Sequence, residues 1–127
     1  MRSGGPAQPR QAYAHDAVLL MAPGGDERAP GGAVTLTLCG SWSHEPPCPL
    51  APHHTAVSRT GDELRVRVLF AAAPRDEERV RALIDTALRS GGAPTPDGPP
   101  ATWRLTSSAA SSVRADERDH GDRLTRG

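Results

Sequence analysis

Apolar and polar residues alternate most cleanly in two stretches. In Leu64-Arg65-Val66-Arg67-Val68-Leu69-Phe70, the side chains of Leu64, Val66, Val68 and Phe70 share one face of a strand while Arg65 and Arg67 take the other. That is the pattern of an antiparallel sheet with one buried and one wet face. The turn-like Thr60-Gly61-Asp62 precedes it, so His54 to Arg59 and Leu64 to Phe70 are predicted to pair as a hairpin. In Ala33 to Cys39, Val34, Leu36 and Leu38 alternate with Thr35, Thr37 and Cys39. With the short apolar run Ala17 to Met21 and the turn-rich Pro23 to Gly32 between them, this predicts a first hairpin with a long mobile tip, and it puts Cys39 on the polar side of its strand.

The period changes after Pro74. Val80, Leu83, Ile84, Ala87 and Leu88 recur at helical spacing, Asp76, Glu77 and Glu78 crowd the first turn, and Gly91-Gly92 closes the segment. An amphipathic helix from Asp76 to Ser90 follows, with Glu77 to Arg81 and Asp85 to Arg89 as i,i+4 pairs on its outer side. Thr102 to Thr106, carrying Trp103 and Leu105, offers a weak last strand. The fold class predicted is α+β: a small, mostly antiparallel sheet of four or five strands, with one helix across its apolar face. Residues 1–13 read as a flexible leader, 14–106 as one small domain, and 107–127 as a disordered tail with a transient helix around Arg114 to His120.

Composition narrows the core. Leu, Ile, Val and Phe supply only 20 of the 127 residues, and 14 of those lie between Ala33 and Ser90. All 15 basic residues are Arg, there is no Asn, and Ala, Gly, Pro and Arg fill 60 positions, the imprint of a GC-rich genome, so abundance of these types carries little meaning by itself. The formal net charge is zero and aromatics are few; neither nucleic acid nor an anionic membrane is an expected partner. No run of 18 apolar residues occurs, and Ala17 to Ala22 is too short for a signal peptide, which leads to the expectation of a cytoplasmic protein. Arg59, Arg65 and Arg67 read either as a local basic strip on the wet face of the second hairpin or as ordinary solvated sheet surface.

Chemistry concentrates in one place. Both cysteines and three of the five histidines lie within Cys39-Gly40-Ser41-Trp42-Ser43-His44-Glu45-Pro46-Pro47-Cys48-Pro49-Leu50-Ala51-Pro52-His53-His54. Two thiolates and two imidazoles suit tetrahedral zinc, and the prolines would stiffen the segment. Cys39, His44, Cys48 and one of His53 or His54 form the expected ligand set; adjacent residues of an extended chain point to opposite sides, so the two tandem histidines are not expected to serve together. Free thiols in a reducing compartment and a Cys39–Cys48 disulfide are the competing states of the segment.

Sharper motifs fail. His44-Glu45-Pro46-Pro47-Cys48 outlines the metalloprotease H-E-x-x-H, but two prolines forbid the helix which that site needs. The zinc deaminase pattern is missed in both halves, two cysteines are too few for an iron–sulfur cluster, and the Gly-rich stretches match no phosphate loop. Two functions of different class remain: a non-catalytic accessory or interaction protein with a zinc-organised loop, meeting a protein partner or its own copy through strand edges, and a thiol-based enzyme or redox protein using Cys39 or Cys48 with His44 as base. No residue is assigned a catalytic role.

Overall fold

The computed structural model describes residues 9–39, 51–95 and 98–126. Four antiparallel strands make the main sheet: β1 (Gln11–Leu20), β2 (His53–Thr60), β3 (Glu63–Ala72) and β6 (Arg104–Ser111), in the order β2-β3-β1-β6. Helices α1 (Ala29–Cys39) and α2 (Glu77–Arg89) connect β1 to β2 and β3 toward β6, and they pack on each other. A small two-stranded sheet, β4 (Gly92–Thr95) with β5 (Gly98–Thr102), follows α2, and α3 (Arg118–Arg126) ends the chain. Setting aside β4, β5 and α3, this is a βαββαβ unit of the ferredoxin-like kind.

Register divides the sheet into two faces. His15 pairs with Val68, Ala17 with Val66 and Leu19 with Leu64, while Val57 pairs with Val66; these residues face α1 and α2. The core there joins Leu19, Leu64, Val66, Val68 and Phe70 to Val34 and Leu38 of α1 and to Val80, Ile84, Ala87 and Leu88 of α2. The predicted second hairpin, the helix and both of its i,i+4 ion pairs are present. Pro74 opens a single 3-10 turn ahead of α2, and Gly91, at φ +76°, turns the chain out of it.

The first hairpin is not formed. Ala33 to Cys39, read from its alternation as a strand, is the body of α1. Val34 and Leu38 are one helical turn apart as well as in step with an alternating pattern, so both periods fit them; Leu36 decides, because it is 42% exposed while Ala29, Ala33, Val34 and Leu38 are buried. Pro30 fits the first turn of a helix, where its missing N–H has no intrahelical acceptor. The turn ahead of α1 is pinned from below: Arg59 donates to the carbonyls of Met21, Ala22 and Gly25 at 2.8 to 3.2 Å. Arg59 pairs with Leu64 and so sits on the helix-bearing face, not in a wet strip with Arg65 and Arg67.

Strand β1 begins at Gln11, taking residues 11–13 into the sheet, and the sheet continues beyond Thr106 to Ser111. A register shift between Val18 and Leu19 accommodates Thr106, whose hydroxyl donates to the Val18 carbonyl at 2.9 Å. Trp103 caps the core from the β5–β6 corner, its indole N–H donating to the Leu88 carbonyl at 2.7 Å. The chain then crosses to the other face of the sheet, where α3 packs over β1 and β3 and Leu69, Ala71 and Ala14 are buried.

Candidate functional site

His53 and His54 open the edge strand β2 and leave it on opposite faces. His53 pairs with Phe70 and faces the helices; His54 pairs with Leu69 and faces α3. Cys39 is the last residue of α1. The Cys39 side chain, His44 and Cys48 lie outside the described residues. Among the described residues, no group of three or more His, Cys, Asp and Glu side chains is gathered to hold a metal ion.

The tautomer of His53 follows from its partners. Nδ1 lies 3.0 Å from the Ala51 carbonyl, which can only accept, so Nδ1 carries the proton. Nε2 is then a lone pair, 2.9 Å from Oγ1 of Thr35 on α1, whose hydroxyl donates to it. A backbone carbonyl fixing one ring nitrogen while the other presents its lone pair is the arrangement of metal-ligating histidines. Beside it, a cleft of about 320 Å³ between α1 and β2 is lined by Arg28, Gly31, Thr35, His53 and Thr55. The buried Thr55 Oγ1 has no hydrogen-bond partner among the described residues.

A second polar cluster was not anticipated from the sequence. His15, buried on the helix-bearing face, has Nε2 2.8 Å from Ser108 Oγ and Nδ1 3.2 Å from Nη1 of Arg81. Asp85 of α2 lies close by, its carboxyl held below the usual carboxylate range by Arg89 first and by Ser108 after it. These are the residue types of an acyl-transfer triad, but their proton order is reversed. Arg81 can only donate, so Nδ1 must accept; the neutral ring then carries its proton on Nε2 and donates to Ser108. A nucleophilic serine needs the imidazole as acceptor. Burial, and after it the Arg81 charge, lowers the His15 pKa and keeps the ring neutral. The run Arg81–His15–Ser108 therefore ties α2 to β1 and β6. The available signal was the extension of period two backward from Leu19 through Ala17 and His15 to Tyr13.

The opposite face carries an ion network centred on Arg67. Its guanidinium donates to Asp16 at 2.8 Å, to both oxygens of Glu117 at 2.7 and 2.8 Å, to Ser111 Oγ at 2.9 Å and to the Ser112 carbonyl at 2.7 Å. Arg67 holds the Glu117 carboxyl down to about 2 and is itself driven above its usual range. Arg65, by contrast, is exposed and pairs with Glu63. Next to them a shallow groove of about 310 Å³ runs over the open part of the sheet, lined by Asp16, Val18, Ala56, Ser58, Arg65 and Arg114. Among the described residues, no helix is long and apolar enough to cross a membrane. No protein-family model matches this chain, and no curated protein is significantly similar to it in sequence.

Proposed function

We propose that this chain is a small non-catalytic accessory protein whose Cys/His segment is organised by zinc, with Cys39, His44, Cys48 and His53 as ligands. The observation that supports this reading is the His53 imidazole: its proton is committed to the Ala51 carbonyl, and its lone pair faces α1, the helix that Cys39 ends. His54 turns to the other face. Zinc would displace the Thr35 hydroxyl from Nε2 and tie the end of α1 to the start of β2, stapling a modest core. The experiment is elemental analysis of purified protein and of its Cys39→Ser, Cys48→Ser, His53→Gln and His54→Gln variants. After dialysis to remove weakly held ions, about one zinc per chain, lost in all but the last, is expected; a metal-free wild type with unchanged stability in the cysteine variants overturns the reading.

The same protein is proposed to meet a second copy of itself through β6. Residues 105–111, Leu-Thr-Ser-Ser-Ala-Ala-Ser, lie at the outer side of the sheet without a charge or proline to block further pairing, and an antiparallel strand pairs with itself under two-fold symmetry. Sedimentation should find a dimer, and Ser107→Lys with Ala109→Lys, both exposed, should shift it to monomer. A wild type that stays monomeric at high concentration removes this part of the proposal.

A further inference from the structure

His54 and His120 meet where β2 passes under α3. Their ring centroids are 4.7 Å apart and their planes are inclined at 53°. Neither imidazole has a hydrogen-bond partner among the described residues, unlike His15 and His53, whose ring nitrogens are all engaged. His54 is exposed and His120 half-buried, so the pair is open to solvent. Two imidazoles tilted against each other at the surface, with their nitrogens left to solvent, give no tie within the fold of the kind the other two histidines give.

The separation suits an ion. An imidazole nitrogen binds zinc at about 2.0 to 2.1 Å, which places the ring centroid about 3.2 Å from the metal; two such ligands at right-angled to tetrahedral spacing have centroids about 4.5 to 5.2 Å apart. The observed 4.7 Å falls inside that range. Charge near the pair is mixed. Glu117 lies one turn before His120 and Arg123 one turn after it, both close enough to act on its titration; Glu117 is already committed to Arg67, and Arg123 is exposed, where solvent screens it. Two neutral nitrogen donors with the other positions left to water favour a borderline divalent transition ion over Mg²⁺ or Ca²⁺, which take oxygen.

We propose that His54 and His120 form a second cation site, separate from the Cys/His segment, in which Zn²⁺, Ni²⁺ or Cu²⁺ bridges β2 and α3 and fastens the C-terminal helix to the sheet. The site does not depend on the zinc reading of the segment, because it uses neither cysteine.

The test uses the full chain stripped with EDTA and titrated with NiCl2. Saturable binding is expected, with a rise in Tm of about 5 °C at a free-ion concentration about ten times Kd, and slower amide exchange across α3. His120→Gln and His54→Gln should each abolish the shift, whereas Cys48→Ser should keep it. With Cu²⁺ as probe, the spin-resonance spectrum should show two nitrogen ligands in the wild type and one in His120→Gln. The absence of a saturable shift, or a shift retained in His120→Gln, overturns the site; loss of the shift in Cys48→Ser with retention in His120→Gln assigns nickel binding to the Cys/His segment instead.

Discussion

A buried histidine whose proton order is set by an arginine is a constraint on pH as well as on shape. The folded His15 has a pKa below its ordinary value, chiefly through burial and then through Arg81. Between that lowered value and about 6.5 the unfolded chain holds the extra proton, so stability rises with pH through this window and is lost as pH falls below about 6.5. His120, lowered by burial, His54 and Arg123, acts in the same direction. The urea midpoint should therefore drop between neutral pH and the lower end of that window, and His15→Gln should flatten the drop; an equal slope in wild type and variant refutes the assignment. Glu117 works at the other end of the scale. Its folded value near 2 against 4.5 unfolded means its contribution is complete above about 4.5 and disappears as pH falls through about 2. Trp103→Phe removes the donor to the Leu88 carbonyl while keeping most of the ring volume; a loss of about 1 to 2 kcal/mol in chemical denaturation is expected.

At the scale of elements, the C-terminal helix is held by contacts that can be cut one at a time. Gly121 sits in α3 so close to β1 that an added Cβ would lie 2.9 Å from Cβ of Ala12. In an exposed helix, glycine to alanine gains about 1 kcal/mol. Here Gly121→Ala should instead destabilise and should speed amide exchange in α3 alone; a gain in Tm contradicts the packing. Removing Arg67 leaves Asp16 and the half-buried Glu117 without their shared partner, and Arg67→Met should cost about 2 to 4 kcal/mol and open residues 112–126 to proteolysis. These same elements mark the limit of what the sequence discloses. The β2–β3 hairpin and α2 were legible because alternation in Leu64 to Phe70 and helical spacing in Val80 to Leu88 each fit one period only. The body of α1 was not, because Val34 and Leu38 satisfy both periods and only contact with α2 and the sheet exposes Leu36. β6 and α3 announce themselves only at their starts, in the weak strand Thr102 to Thr106 and the transient helix around Arg114 to His120: Ser107 to Ser111 has no apolar alternation, and its place follows from the pairing that β1 offers. Of the candidate site, the opposed directions of His53 and His54 could be read from a strand's alternation, whereas the His54–His120 meeting joins residues 66 positions apart and needs the fold.

For the molecule as a whole, the ferredoxin-like arrangement names a scaffold that hosts unrelated activities, so its chemistry resides in what decorates it. Two additions do so here. The segment between α1 and β2 carries Cys48 and starts from Cys39 at the end of α1, and the chain after β6 folds across the sheet face that the two main helices leave uncovered. A chain cut after residue 112 should keep the β2–β3 hairpin and α2 but expose Leu69, Ala71 and Ala14; dye binding to the newly uncovered apolar surface is the measurement, and a cut chain that binds no more dye than the intact one shows that α3 covers nothing of consequence. The position of β1 has a further consequence, for biosynthesis. Among the described strands it is made before the others, yet it lies inside the sheet, with β3 on one side and β6 on the other. One of its edges waits for residue 72 and the other for residue 111, so residues 21–111 must follow β1 out of the ribosome before both its edges are protected from neighbours on the polysome.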